Sequence, residues 1–106
     1  MISPRRTSIR RLLFGALISV GLSGTAQAAD EMQALLPICS SCHGATGQSV
    51  APNFPKLAGQ HEAYLRKQLQ DFRSGSRKDP AMSPMATGLS DAQIDVLARF
   101  FAAQKP

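Results

Sequence analysis

Residues 39 to 43 read Cys-Ser-Ser-Cys-His and hold both cysteines of a 106-residue chain, with one of its two histidines. No other feature restricts the fold as tightly. Two thiols are too few for the disulfide framework that supports many small exported domains. The pentapeptide must therefore be read through the compartment the chain reaches and through what its interior lacks.

The opening residues carry Arg5, Arg6, Arg10 and Arg11 and no acid, then the short apolar run LLFGALISVGL, then GTAQA with small residues at Ala26 and Ala28. This is the pattern of a Sec-type signal peptide spanning residues 1–28, with cleavage expected after Ala28. The apolar run falls short of the roughly 20 residues that cross a bilayer. It is also broken by Gly15, Gly21 and Gly24. The two Arg-Arg pairs lack the Phe-Leu pattern of a twin-arginine leader. The chain is expected in the bacterial periplasm as one domain, residues 29–106, with no stable membrane insertion once the leader is removed.

The leader also accounts for the charge. It holds four of the twelve basic residues and none of the seven acids, which leaves eight against seven, or +1, for the remainder. The pI of about 9.9 thus belongs to the targeting segment, and no basic stripe remains to support nucleic-acid binding. The 78 residues from 29 to 106 contain five aromatics, Phe54, Tyr64, Phe72, Phe100 and Phe101, and no Trp. A chain so short gains only about 3–5 kcal/mol from its own core and needs another stabilising element.

The pattern along the chain is helical throughout. Asp30 to Leu36 reads as a short helix stopped by Pro37, and residues 44–60 as an ordered loop. HEAYLRKQLQDFRSG places Tyr64, Leu65, Leu69 and Phe72 on one face and ends at Gly75. SRKDPAMSPMATG is a second loop, in which Pro80 and Pro84 are expected to exclude a helix. The last helix opens with a capping box, Ser90 with Gln93, and its apolar face is Ile94, Leu97, Ala98 and Phe101. No alternating strand pattern is present. The expectation is an all-α domain of three or four short helices with long loops, which at this size imply a function.

Three chemistries use paired cysteines at this spacing. A redox dithiol belongs in an α/β fold with strands. A structural zinc needs four ligands, for which Cys39, Cys42, His43 and His61 are the candidates. Covalent haem attachment uses both thiols and the adjacent histidine. Export, the lack of strands and a core in need of a large apolar filler favour the haem.

CSSCHGATG, APNFPKLAGQ, YLRKQLQDFRSG, MSPMATGLSD and the final helix, in this order, resemble the class I c-type cytochromes. The similarity is to one half of the tandem di-haem members and runs from about Leu36 to Gln104. The resemblance implies one haem c held by thioether links at Cys39 and Cys42, with His43 as proximal iron ligand. It further implies a distal methionine in the second loop. Registration against the cap of the last helix selects Met82, eight residues before Ser90, with Met85 as the alternative and a gap-filling role for whichever does not bind. A loop-proline carbonyl is expected to orient His43 through its second ring nitrogen, Pro52 being the candidate and Pro55 the alternative. His61 reads as an exposed helix-start residue. The chain departs from the family in its short first helix, with Leu35 where an aromatic is usual. The contact between first and last helices then falls to Phe100 and Phe101.

The function implied is electron transfer without catalysis: a mono-haem carrier, monomeric or weakly dimeric. It would exchange electrons with proteins such as a membrane-bound cytochrome complex, a terminal oxidase or a periplasmic dehydrogenase. A haem subunit of a larger oxidoreductase and a gas-binding sensor with an open sixth position are the alternatives. Lys56 and the cluster Arg73, Arg77 and Lys78 could steer an acidic partner or form an ordinary solvated surface of mixed sign.

Overall fold

The computed structural model describes residues 15–18 and 23–106. The start of the expected leader lies outside the described residues, as do its residues 19–22. Four helices follow one another: α1 (Ser23–His43), α2 (Glu62–Ser74), α3 (Met82–Thr87) and α4 (Asp91–Ala102), with no strand among the described residues. The all-α expectation is met. A thioredoxin-like setting for the cysteine pair is thereby removed.

α1 is longer than the sequence suggested. It begins upstream of Ala28 and runs unbroken through Pro37 to His43. Proline inside a helix deletes one hydrogen bond and crowds the carbonyl four residues back. Here that carbonyl belongs to Gln33, and both Gln33 and Pro37 are exposed, so water can replace the lost bond. The opposite face compensates by packing: Met32, Leu35, Leu36 and Cys39 lie against the core of Leu65, Leu97, Ala98 and Phe101. α1 therefore brings aliphatic side chains and Cys39 to its contact with the last helix, which supplies the aromatic Phe101.

α2 and α4 behave as their patterns require. Leu65 and Phe72 of α2 are buried, and so are Ile94, Leu97, Ala98 and Phe101 of α4. Gly75 ends α2 at φ 85°, a left-handed conformation suited to glycine. The capping box of α4 is complete, with Ser90 accepting from the Gln93 N–H and the Gln93 side chain accepting from the Ser90 N–H. Tyr64, assigned to the inner face, is instead half-exposed. Arg66 joins the two helices, donating to Asp95 and to Glu62, each at 2.6 Å.

The protein core is small. Its buried apolar residues are Ala58, Leu65, Phe72, Ala86, Ile94, Leu97, Ala98 and Phe101. Three are alanines, which leaves five large side chains, Leu65, Phe72, Ile94, Leu97 and Phe101, carrying about 1.5–3 kcal/mol each.

Candidate haem-attachment site

The cysteine pair sits on the last turn of α1. A separation of three residues places Cys39 and Cys42 side by side on the helix surface, and His43, four after Cys39, on the same side. Both thiols are free and half-buried. Burial pushes the Cys39 thiol above its ordinary range, with a backbone hydrogen bond opposing the shift. His43 is the buried polar residue of the core, 7% exposed.

The chain turns sharply after His43 and folds back. Gly44 takes a left-handed φ of 81°, and two loop amides then cap the helix end. Ser49 N–H donates to the His43 carbonyl at 2.7 Å and Val50 N–H to the Cys42 carbonyl at 3.2 Å. Helix C-terminal carbonyls otherwise lack partners, so these bonds hold the His43 backbone in place. Gly47, also left-handed, accepts from the Leu57 and Ala58 amides at 2.8 and 3.0 Å. A methyl group at Gly47 would stand 2.8 Å from both Ala58 N and Phe101 Cδ1. Only glycine fits there, and the loop is tied to α4 further on, where the Gly59 N–H donates to the Phe101 carbonyl at 3.0 Å.

This loop fixes the imidazole. His43 Nδ1 donates to the Pro55 carbonyl at 2.8 Å. A carbonyl only accepts, so Nδ1 carries a proton, and in the neutral ring Nε2 is the nitrogen with the lone pair. The acceptor is Pro55 and not Pro52, which corrects the first choice made from sequence. Pro52 occupies the second position of a turn closed by Phe54 N–H on the Ala51 carbonyl at 3.0 Å. Its fixed φ suits that corner, and the corner is exposed.

Among the described residues no three His, Cys, Asp or Glu side chains gather as a metal site, so His61 does not join Cys39, Cys42 and His43. It stands exposed at the capping position of α2. What the motif offers is two thiols on one helix face and one oriented imidazole lone pair, beside a protein core short of apolar volume. That donor set fits a covalently attached haem.

The second loop differs from its expectation. Met82 to Thr87 is helical despite Pro84, because a proline in the first turn removes an N–H that has no intrahelical partner. Asp79 organises the entry: its carboxylate accepts from the Ala81 and Met82 amides, each at 2.8 Å, and its own N–H donates to Ser83 Oγ at 2.9 Å. These backbone bonds, with Arg77 nearby, hold the Asp79 carboxyl below the usual carboxylate range. The pair Asp79-Pro80, with an acidic side chain that accepts from the amides two and three residues on, was the readable signal for the turn that leads into this helix. Met82 is half-buried and one turn before Ala86, which is completely buried. Met85 is 52% exposed and fills no gap, contrary to expectation.

The basic cluster is partly committed. Arg73 donates to the Leu89 carbonyl and to Asp91, while Arg77 lies 4.6 Å over the Phe72 ring and donates to Gln68. Lys56 and Lys78 are exposed. No helix among the described residues is long and apolar enough to cross a membrane.

Comparison with known proteins bears on the family of the chain. The Cytochrome c family profile matches residues 29–104. Cytochrome c4 of Pseudomonas aeruginosa is 46% identical over 100 residues, covering 92% of this chain and 50% of that protein. A protein of Stutzerimonas stutzeri named thiosulfate dehydrogenase electron acceptor is 51% identical over 61 residues, 57% of this chain and 28% of its own length. The crystal structure of reduced recombinant cytochrome c4 from Pseudomonas stutzeri superposes with a TM-score of 0.65 at 45% identity, covering 74% of this chain and 45% of that one. The chain spans about half the length of the curated cytochromes c4 it matches.

Proposed function

This chain belongs to the cytochrome c family as a class I c-type cytochrome, and from that premise we propose that it shuttles single electrons in the periplasm with His43 and Met82 as the iron ligands. It is an electron-transfer protein carrying one covalently bound haem c. That group supplies a ferrous/ferric couple, and the chain's task is to hold it without rearrangement. Cys39 and Cys42 provide the thioether links, and cleavage after Ala28 releases the domain of residues 29–106.

The observation that carries the reading is the Pro55 hydrogen bond to His43 Nδ1. It fixes the tautomer and leaves Nε2 free to bind iron. The half-buried Met82 provides a sulfur ligand, and thioether ligation raises the reduction potential. With His43 and Met82 both available to the metal, a haem held here would favour electron exchange over gas binding. Lys56 and Lys78 offer local positive charge toward an acidic redox partner. A dehydrogenase is one such partner, since a relative is named as the electron acceptor of one.

The test is a methionine exchange. Met82→Ala should abolish the sulfur-to-iron band of the oxidised protein, lower the potential and open the reduced iron to carbon monoxide. Met85→Leu should leave all three unchanged. The reverse pattern assigns the ligand to Met85, and no effect from either removes sulfur ligation altogether.

A further inference from the structure

Two arginines on α2 reach across to neighbouring elements, and they reach different things. Arg66 joins α2 to the middle of α4 through Asp95. Arg73, two turns further on, donates Nη1 to the Leu89 carbonyl at 3.0 Å and Nη2 to Asp91 Oδ1 at 2.6 Å. Leu89 is itself closed onto the end of α3, its N–H donating to the Ala86 carbonyl at 3.1 Å. The guanidinium therefore grips the chain immediately behind the helix that bears Met82.

Ahead of α3 the tie to α2 is of another kind: Arg77, five residues before Met82, donates to Gln68 and lies over the Phe72 ring. The Asp79 bonds to Ala81, Met82 and Ser83 are all within the segment. They shape the turn without tying it to the rest of the molecule. Among the described residues, Arg73 makes the one side-chain hydrogen bond from α2 to the link between α3 and α4. Its partner Asp91 is 81% exposed at the side chain, so that ion pair adds little energy and serves to orient the fork. The bond to the Leu89 carbonyl comes from a charged donor, roughly twice as strong as a neutral one. Spanning a carbonyl and a carboxylate together requires the planar fork of arginine, which lysine lacks.

We propose that Arg73 is a positioning residue for Met82: by holding the Leu89 carbonyl it sets where α3 stands against α2 and thereby how readily the Met82 thioether leaves the iron. The proposal rests on Met82 being the distal ligand. Arg66 supplies the contrast, since it stabilises the same helix pair without touching the Met82 segment.

The experiment uses the haem-loaded protein with Arg73→Met, Arg73→Lys and Arg66→Met. Three quantities are read: the association rate of carbon monoxide with the reduced form, the temperature at which the oxidised form loses its sulfur-to-iron band, and the helical melting temperature. Arg73→Met should raise the carbon monoxide rate about tenfold, the equivalent of one charged hydrogen bond. Its band should disappear well before the helices melt. Arg73→Lys should fall between wild type and Arg73→Met, and carries the test if Arg73→Met does not fold. Arg66→Met should lower the melting and band-loss temperatures together and leave the carbon monoxide rate unchanged. Carbon monoxide rates in the Arg73 variants equal to wild type, with band loss coinciding with melting, would overturn the proposal while leaving Met82 as ligand. Absence of the band in wild type, or its survival in Met82→Ala, would overturn the ligand assignment and the clamp together.

Discussion

The loop from Cys39 to Pro55 and the segment from Asp79 to Ser90 each present one proposed iron ligand, and they are built in opposite ways. In the first, long-reaching backbone bonds do the fastening: Ser49 and Val50 cap α1, and Gly47 pairs with Leu57 and Ala58. His43 itself is buried and bonded to a carbonyl twelve residues away. In the second, the bonds at the entry are local to Asp79 and its neighbours, and the side-chain ties to α2 are Arg77 ahead of the segment and Arg73 behind α3. A histidine ligand so held cannot leave without dismantling the loop. A methionine ligand on a short helix can leave while the rest of the fold persists. The contrast makes the histidine side a structural fixture and the methionine side the adjustable one.

The largest effect should come from removing the haem. Cys39→Ala with Cys42→Ala leaves the small core, eight buried apolar residues among the described ones, too little to stabilise a domain of this size. Periplasmic expression of the double variant should yield a largely unfolded chain by circular dichroism. A sharp native-like melt would show that the protein core suffices alone.

The two sides should then separate. Met82→Ala should change spectrum and potential while retaining helical structure, since a half-buried side chain on a six-residue helix is lost. Gly47→Ala acts on the other side. A methyl there meets Ala58 N and Phe101 Cδ1 at 2.8 Å in a left-handed conformation, and should destabilise by roughly 2–4 kcal/mol. Thermal melting would measure that loss. Equal melting temperatures for Gly47→Ala and wild type would mean that the His43 loop is not the rigid side.

Legibility followed the same division. The motif, the Gly75 stop and the capping box of α4 were plain because each is a local signal with one physical meaning. The cysteines and His43 were legible as a site for the same reason. Proline misled twice. Pro37 and Pro84 both lie in helices, the first because its exposed face is hydrated while the inner face packs, the second because it falls in a first turn. Whether a proline breaks a helix depends on neighbours that sequence order does not reveal. The choice between Pro52 and Pro55 was likewise tertiary, since one lies within a turn and the other just after it, and only the fold sets which carbonyl faces His43. The Arg73 bridge had no sequence signal, because its acceptor is a backbone carbonyl sixteen residues away.

Smaller effects refine the distal side. Ser90→Ala removes the cap on α4 just after the Met82 segment and should cost about 1 kcal/mol, read as a lower melting temperature with an unchanged spectrum. Met85→Leu, at a half-exposed position, should lie within about 0.5 kcal/mol of wild type. A loss of several kcal/mol from that exchange would mean that Met85 is covered in the folded protein.

The most direct test of the whole account is a spectroelectrochemical titration of the purified wild-type protein. One reversible one-electron transition is expected, with c-type absorption in the reduced form and a sulfur-to-iron band in the oxidised form. Both redox states should be unreactive toward added ligands on the timescale of the titration. An oxidised spectrum without the sulfur band, together with rapid carbon monoxide binding on reduction, would contradict it and indicate an open iron in place of an electron carrier.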